Sequence, residues 1–117
     1  MKLVTAIIRP EKLEAVQQAL NERDVYLMTV TDVRGCGRQR GYTEVYRGTE
    51  FQVRLLPKVK LEIAVNEAFV EATIEAIVHA ARTAETGQIG DGKIFVLPLE
   101  DCVRIRTGER GGEAIGP

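Results

Sequence analysis

Tryptophan is absent from this 117-residue chain, and the other aromatics are sparse, with three tyrosines and three phenylalanines. Modules that hold single-stranded RNA on a sheet need aromatics on their central strands to stack bases. The strand-like runs KLVTAII and VKLEIAV contain none, which argues against that mode. Histidine occurs once, at His79, and cysteine twice, at Cys36 and Cys102, with no CxxC spacing. A zinc site cannot be assembled from that inventory within the usual spacings. Two unpaired thiols fit a reducing cytosol. No apolar run reaches the ~18 residues that a membrane span needs, and the N-terminal MKLVTAIIRPEK lacks the cleavage site of a leader. A dominant charge is missing too. Sixteen basic residues face 17 acidic ones, so the net basic face of a dedicated nucleic-acid binder is not expected.

What is present, 44% hydrophobic and 28% charged residues, is the profile of one globular domain over 1–117. Leu3 to Ile8 is a short, β-branched, apolar run that reads as a buried strand. Arg9-Pro10 ends it, because the residue before proline is pushed to extended geometry, and Pro10 can open a helix. Leu13, Val16 and Leu20 then give that helix one apolar face. Tyr26 to Arg34 reads as a second strand. Val59 to Val65 alternates cleanly, with Val59, Leu61, Ile63 and Val65 on one side. Asn66 offers an N-cap, and Val70, Ile74, Ile77, Val78 and Ala81 mark a second helix that should end near Thr86-Gly87. Ile94 to Leu97 is a fourth strand, and Val103 to Thr107 a short fifth. The tail after Gly108 is expected to be mobile.

The order βαββαβ with an appended strand is an α+β, ferredoxin-like pattern. Both helices would cover one sheet face. The other, carrying Leu3, Thr5 and Ile7 on its first strand, would be bare, which is a reason to oligomerise.

Between the second and third strands lies GCGRQRGYTEVYRGTEFQVRLLP, longer than the connections usual in a compact domain. Its arginines offer rigid forks of donors, and Tyr42, Tyr46 and Phe51 offer interface anchors.

Three blocks resemble the PII signalling proteins: GCGRQRGYTEVYRGTEF, GDGKIFV (Gly90 to Val96) and VRIRTGE (Val103 to Glu109). The likeness runs from Met1 to about Ile115. It implies a cytoplasmic homotrimer with nucleotide sites between neighbours. Residues of about 37–56 correspond to the family's T-loop, about 82–93 to its B-loop, and about 103–117 to a C-terminal segment that reaches the adjacent site. The ligands implied are ATP or ADP, Mg²⁺, and 2-oxoglutarate as effector. By resemblance, the nucleotide would meet Ile7, Thr29, Gly35, Cys36, Gly37, Arg38, Gln39, Glu62, Ala64, Gly90, Asp91, Gly92, Lys93, Arg104 and Arg106. Arg9, Gln39, Arg40, Gly41, Lys58 and Gly90 would meet 2-oxoglutarate, and Gln39 would ligate the metal. The chemistry agrees: glycines let backbone approach a phosphate, and Mg²⁺ takes few protein ligands beside phosphates and water. Tyr46, Arg47, Gly48, Thr49 and Phe51 would form the partner-binding tip. The partners implied are an ammonium transporter, engaged peripherally at the membrane, or nitrogen-metabolism enzymes, with no nucleic acid. The family are regulators rather than enzymes. A slow ATPase, or a PII-like sensor of a different effector, is the alternative.

Two departures stand out. Phe51 occupies a position where many relatives carry a nucleotidylated tyrosine, so that modification has no hydroxyl here. The stretch ARTAETGQIGDGK carries about three residues more than the commoner B-loop, an extension that would change nucleotide affinity or merely lengthen the helix. Cys36 is expected as a small buried hydrophobe.

Overall fold

The computed structural model describes residues 1–36 and 54–116. The chain runs through β1 (Lys2–Ile8), a 3-10 turn (Pro10–Lys12), α1 (Leu13–Asn21), β2 (Thr29–Gly35), β3 (Leu56–Val65), a second 3-10 turn (Glu67–Phe69), α2 (Val70–Ala81), β4 (Gly92–Pro98) and the short α3 (Gly112–Ile115). The strands form one antiparallel sheet in the order β2-β3-β1-β4. Each long helix links two strands that are not neighbours in the sheet, which gives the ferredoxin-like arrangement. Among the described residues, no helix is long and apolar enough to cross a membrane.

The period-2 alternation of β1 and β3 sets the core. Val4, Ala6 and Ile8 point to the helical layer with Val59, Leu61, Ile63 and Val65, and all are buried. Val16 and Leu20 of α1 and Ala76, Ile77 and Ala81 of α2 close over them. The buried stripe of α2 is turned relative to the expected one: Thr73 and Ala76 face the sheet, Ile74 is only partly covered and Val78 is exposed. Thr73 can occupy that stripe because its hydroxyl donates to the Phe69 carbonyl at 2.7 Å, which satisfies the polar group inside the helix.

The opposite sheet face carries Leu3, Thr5 and Ile7, aligned through the register with Leu97, Phe95 and Lys93 of β4. Phe95 and Leu97 are each 49% exposed, so this face is an open apolar surface within the single chain.

Four local features depart from the sequence reading. First, α2 ends at Ala81 rather than near Thr86-Gly87, because Arg82 adopts extended geometry with ψ 133. Second, Asn66 makes no side-chain cap. Its amide instead donates to the carbonyls of Gly112 (3.2 Å) and Gly116 (3.0 Å). Third, the tail is docked rather than loose: α3 packs with Ile115 buried, and Asn66 ties both its ends. Fourth, Val103–Thr107 is no strand. A lone strand needs a partner, and here the chain folds back on itself through one bridge, Val103 with Arg110, closed by Arg104 N–H to the Glu109 carbonyl and Gly108 N–H to the Arg104 carbonyl.

Candidate functional site

The sheet register brings four strand ends to one place. Ile7 of β1 lies beside Lys93 of β4 on one side and Lys60 of β3 on the other, and Val33 of β2 lies beside Lys58. A cleft of about 810 Å³ opens there, between the β2–β3 stem and the turn 88–93. Of the residues expected at the site, Ile7, Gly35, Cys36, Lys58, Gly90, Asp91, Gly92 and Lys93 line it. Val33, Arg34, Leu56, Gln88, Ile89 and Phe95 line it as well and were not anticipated; Val33, Leu56 and Phe95 are ordinary strand residues whose role depends on register alone, and Ile89 belongs to the turn before β4. Cys36 is exposed at this wall rather than buried, since it follows the last paired residue of β2.

The turn owes its shape to a small network. The Asp91 carboxylate accepts the Thr83 hydroxyl at 2.6 Å, the Thr83 amide at 2.9 Å, the Gln88 amide at 2.9 Å and Arg9 Nε at 3.0 Å. Partial burial works against its charge, but the hydrogen bonds from Thr83, Gln88 and Arg9 outweigh that and hold the carboxyl far below the usual aspartate range. Arg9 also donates to the Ile89 carbonyl at 3.0 Å. Lys58 Nζ donates to the Gly90 carbonyl at 2.7 Å. Burial, and then the positive charge of Arg9, lower the affinity of Lys58 for its proton. At Gly92, with φ +116, an added Cβ would lie 1.7 Å from the Ile7 carbonyl oxygen, so only glycine allows β4 to start there.

The electrostatics follow. Among the described residues, Arg34, Lys58 and Lys93 are the cations of the lining. The carboxylate beside them, Asp91, is already matched by Arg9. The cleft therefore suits an anion. Arg9 does not line it; its guanidinium is held on Asp91 and Ile89 behind the turn. Thr29, Glu62 and Ala64 sit on the open sheet face, Thr29 paired with Glu62 and Ala64 with Leu3, away from the lining. Arg104 and Arg106 belong to the C-terminal segment. Arg104 is paired with Glu109 at 2.9 Å and also donates to the Glu113 carbonyl, while Arg106 is exposed. Gly37, Arg38, Gln39, Arg40, Gly41, Tyr46, Arg47, Gly48, Thr49 and Phe51 lie outside the described residues.

A second cavity, of about 670 Å³, lies on the helical side of the turn against Ile8, Ile74, Ile77, Val78 and Ile94. It shares Ile7, Gln88, Ile89, Asp91, Gly92 and Lys93 with the first cleft, and the rest of its wall is mainly aliphatic.

The sequence model of the family described as "Nitrogen regulatory protein P-II" matches residues 1–109. This chain belongs to the P-II family. The match includes the cleft, the 88–93 turn and Arg104, and stops short of α3. Among curated P-II relatives, the "Nitrogen regulatory protein P-II" of Rhodospirillum rubrum is 56% identical over 115 residues, 98% of this chain and 100% of the relative. The protein of the same description from Azospirillum brasilense is also 56% identical with the same coverage. "Nitrogen regulatory protein GlnK1" of Methanosarcina mazei is 54% identical, over 98% of this chain and 97% of its own length.

Proposed function

We propose that this P-II chain is a cytoplasmic signal-transduction protein of nitrogen regulation that binds ATP or ADP, with 2-oxoglutarate, in the cleft beside the 88–93 turn. The observation that carries the reading is the convergence of Arg34, Lys58 and Lys93 on a cleft of about 810 Å³ at the root of the 37–53 segment. A triphosphate needs several cations and close backbone approach. The cleft offers both, the latter at Gly90 and Gly92. Lys58, facing the cleft from β3, is the partner for a carboxylate of 2-oxoglutarate. Arg9 reaches that acid only by leaving Asp91.

Mg²⁺ fits this arrangement on limited terms. Among the described residues no group of three His, Cys, Asp or Glu could hold a metal, and the oxygens of Asp91 are filled. The metal would rest on Gln39 and ligand oxygens, a donor set that Mg²⁺ accepts. When bound it would neutralise phosphate charge.

The open face with Leu3, Phe95 and Leu97 supports a homotrimer, in which Arg104 and Arg106 reach a neighbour's cleft. Ligand state then biases the loop that joins β2 to β3, and its tip, Tyr46 to Phe51, docks on an ammonium transporter or a nitrogen-metabolism enzyme. The protein acts as a regulator of those targets.

The test is isothermal titration of ATP, ADP and 2-oxoglutarate, with and without Mg²⁺, on wild type, Gln39→Ala and Lys58→Met, with sedimentation to read mass against the 13.0 kDa chain. Binding of 2-oxoglutarate only beside Mg-ATP, lost in Gln39→Ala while nucleotide binding persists and lost in Lys58→Met with nucleotide binding weakened but present, supports the reading. Nucleotide binding without 2-oxoglutarate binding points to another effector. No nucleotide binding overturns the proposal.

A further inference from the structure

Asp91 sits between the two glycines of the GDGK motif, where a direct contact with the bound anion would be the simplest role. The geometry gives it another. Both carboxylate oxygens are taken up within the chain: Oδ1 takes the Thr83 hydroxyl and Arg9, and Oδ2 takes the amides of Thr83 and Gln88. The two ends of the 83–91 loop are thereby closed on one side chain.

Three further observations connect that closure to the cleft. Helix α2 stops at Ala81 because Arg82 turns extended, and Thr83 is the first residue after that turn. The loop then contains Ala84 at φ 56, a left-handed conformation that a non-glycine residue adopts only when its surroundings impose it. Beyond Gln88, the Gly90 carbonyl is held by Lys58 and the Ile89 carbonyl by Arg9. The wall of the cleft formed by Gly90 and Gly92 is thus suspended between Lys58 on one side and the Asp91 network on the other.

We propose that Asp91 is a positioning residue rather than a ligand contact: by gathering Thr83, Gln88 and Arg9 it sets the 83–92 loop in the one shape that presents Gly90 and Gly92 to a phosphate. This rests on the nucleotide-binding reading of the cleft. It also gives Arg9 a role independent of 2-oxoglutarate, as the counter-charge that lets Asp91 remain ionised under the loop.

Two readouts separate the proposal from the reading beneath it. Amide hydrogen exchange of the ligand-free protein measures the loop itself. Titration with ADP measures the consequence. Asp91→Asn places an amide N–H₂ against donors on one side or the other. Exchange in 82–92 should accelerate several-fold while the β3 amides keep their protection, and ADP affinity should fall by roughly tenfold. Thr83→Ser retains the hydroxyl and should match wild type in both readouts. Thr83→Val removes the 2.6 Å contact and should move both in the direction of Asp91→Asn. It also keeps the test open if Asp91→Asn does not fold. If exchange of 82–92 is the same in wild type, Thr83→Val and Thr83→Ser, the staple does not hold the loop and the proposal fails. Faster exchange with unchanged ADP affinity overturns the link to binding. If wild type itself binds no ADP, the nucleotide reading falls, and with it the link, while exchange still reports whether Asp91 shapes the loop.

Discussion

Replacing Gly92 by alanine adds one methyl group, and the structure says what that methyl meets. Its Cβ would stand 1.7 Å from the Ile7 carbonyl oxygen and 2.8 Å from the Ile7 carbonyl carbon, well inside the 3.0 Å that real Cβ atoms respect. Both are backbone atoms of the strand on which β4 is paired, so no side chain can rotate away. Relief requires the first rungs of the β1–β4 ladder, Ile8 with Gly92 and Ile7 with Lys93, to separate. Each lost rung hydrogen bond costs about 1 kcal/mol. The φ of +116 adds roughly 1–2 kcal/mol for any L-residue. Gly92→Ala should therefore destabilise by about 4 kcal/mol, a large share of the ~5–15 kcal/mol that holds a small domain. Gly108 provides the control. It also has positive φ, +74, but nothing lies within 4 Å of the place an added Cβ would take. Gly108→Ala should cost only the conformational part, about 1–2 kcal/mol. Urea unfolding followed by far-UV circular dichroism, at one fixed protein concentration because association shifts apparent stability, reads both. If the two variants lose equal stability, the Ile7 carbonyl does not constrain position 92 and the account of β4's start is wrong.

Further outcomes follow from the same geometry. Asn66→Ala removes the side chain that ties α3 to the β3 end through the Gly112 and Gly116 carbonyls. It should cost about 1–2 kcal/mol and speed tryptic cleavage after Arg110 several-fold in a timed digest; unchanged cleavage would mean that the tail is held without Asn66. The Asp91 carboxyl is depressed when folded and returns to about 4 when the chain unfolds. The unfolded state thus binds the proton first as pH falls. The stabilisation is fully present above about pH 4 and is lost as pH drops below that value towards the folded carboxyl's own range. Acid titration of unfolding free energy should show a shallower acid limb in Asp91→Asn, and an identical limb would refute the assignment.

The alternation of Val59, Leu61, Ile63 and Val65 was legible because a half-buried strand writes its environment directly into its sequence, and all four are buried. The same is true of Val16 and Leu20 on α1. The end of α2 was not legible. Thr86-Gly87 carries the chemistry of a helix stop, but the actual stop is imposed from outside, by a carboxylate eight residues beyond Thr83. A threonine at a helix end followed by an aspartate inside a glycine turn was the available signal, and local propensity does not weigh it. Asn66 fails for a similar reason. Its cap chemistry is real, but its amide N–H₂ donates to the C-terminal carbonyls, and in that orientation the side-chain oxygen makes no cap. The cleft was half legible. Gly90, Gly92 and Lys93 announce themselves by motif, whereas Val33, Arg34 and Leu56 reach it only through the β2–β3 register. Val103–Thr107 shows alternation without a neighbour, and alternation alone cannot supply the missing strand.

The pairing of Gly35 with Leu56 has one further consequence. The chain leaves the sheet and re-enters it at two points that the hairpin stem holds side by side, whatever lies between them. Closing a loop between fixed ends grows dearer only slowly with length, about 0.6 kcal/mol for each doubling. The stem is thus a natural socket: segments of other lengths and sequences, grafted between positions 36 and 55, should leave the scaffold folded. Selection, or a designer, can then rewrite which partner is recognised without renegotiating the fold.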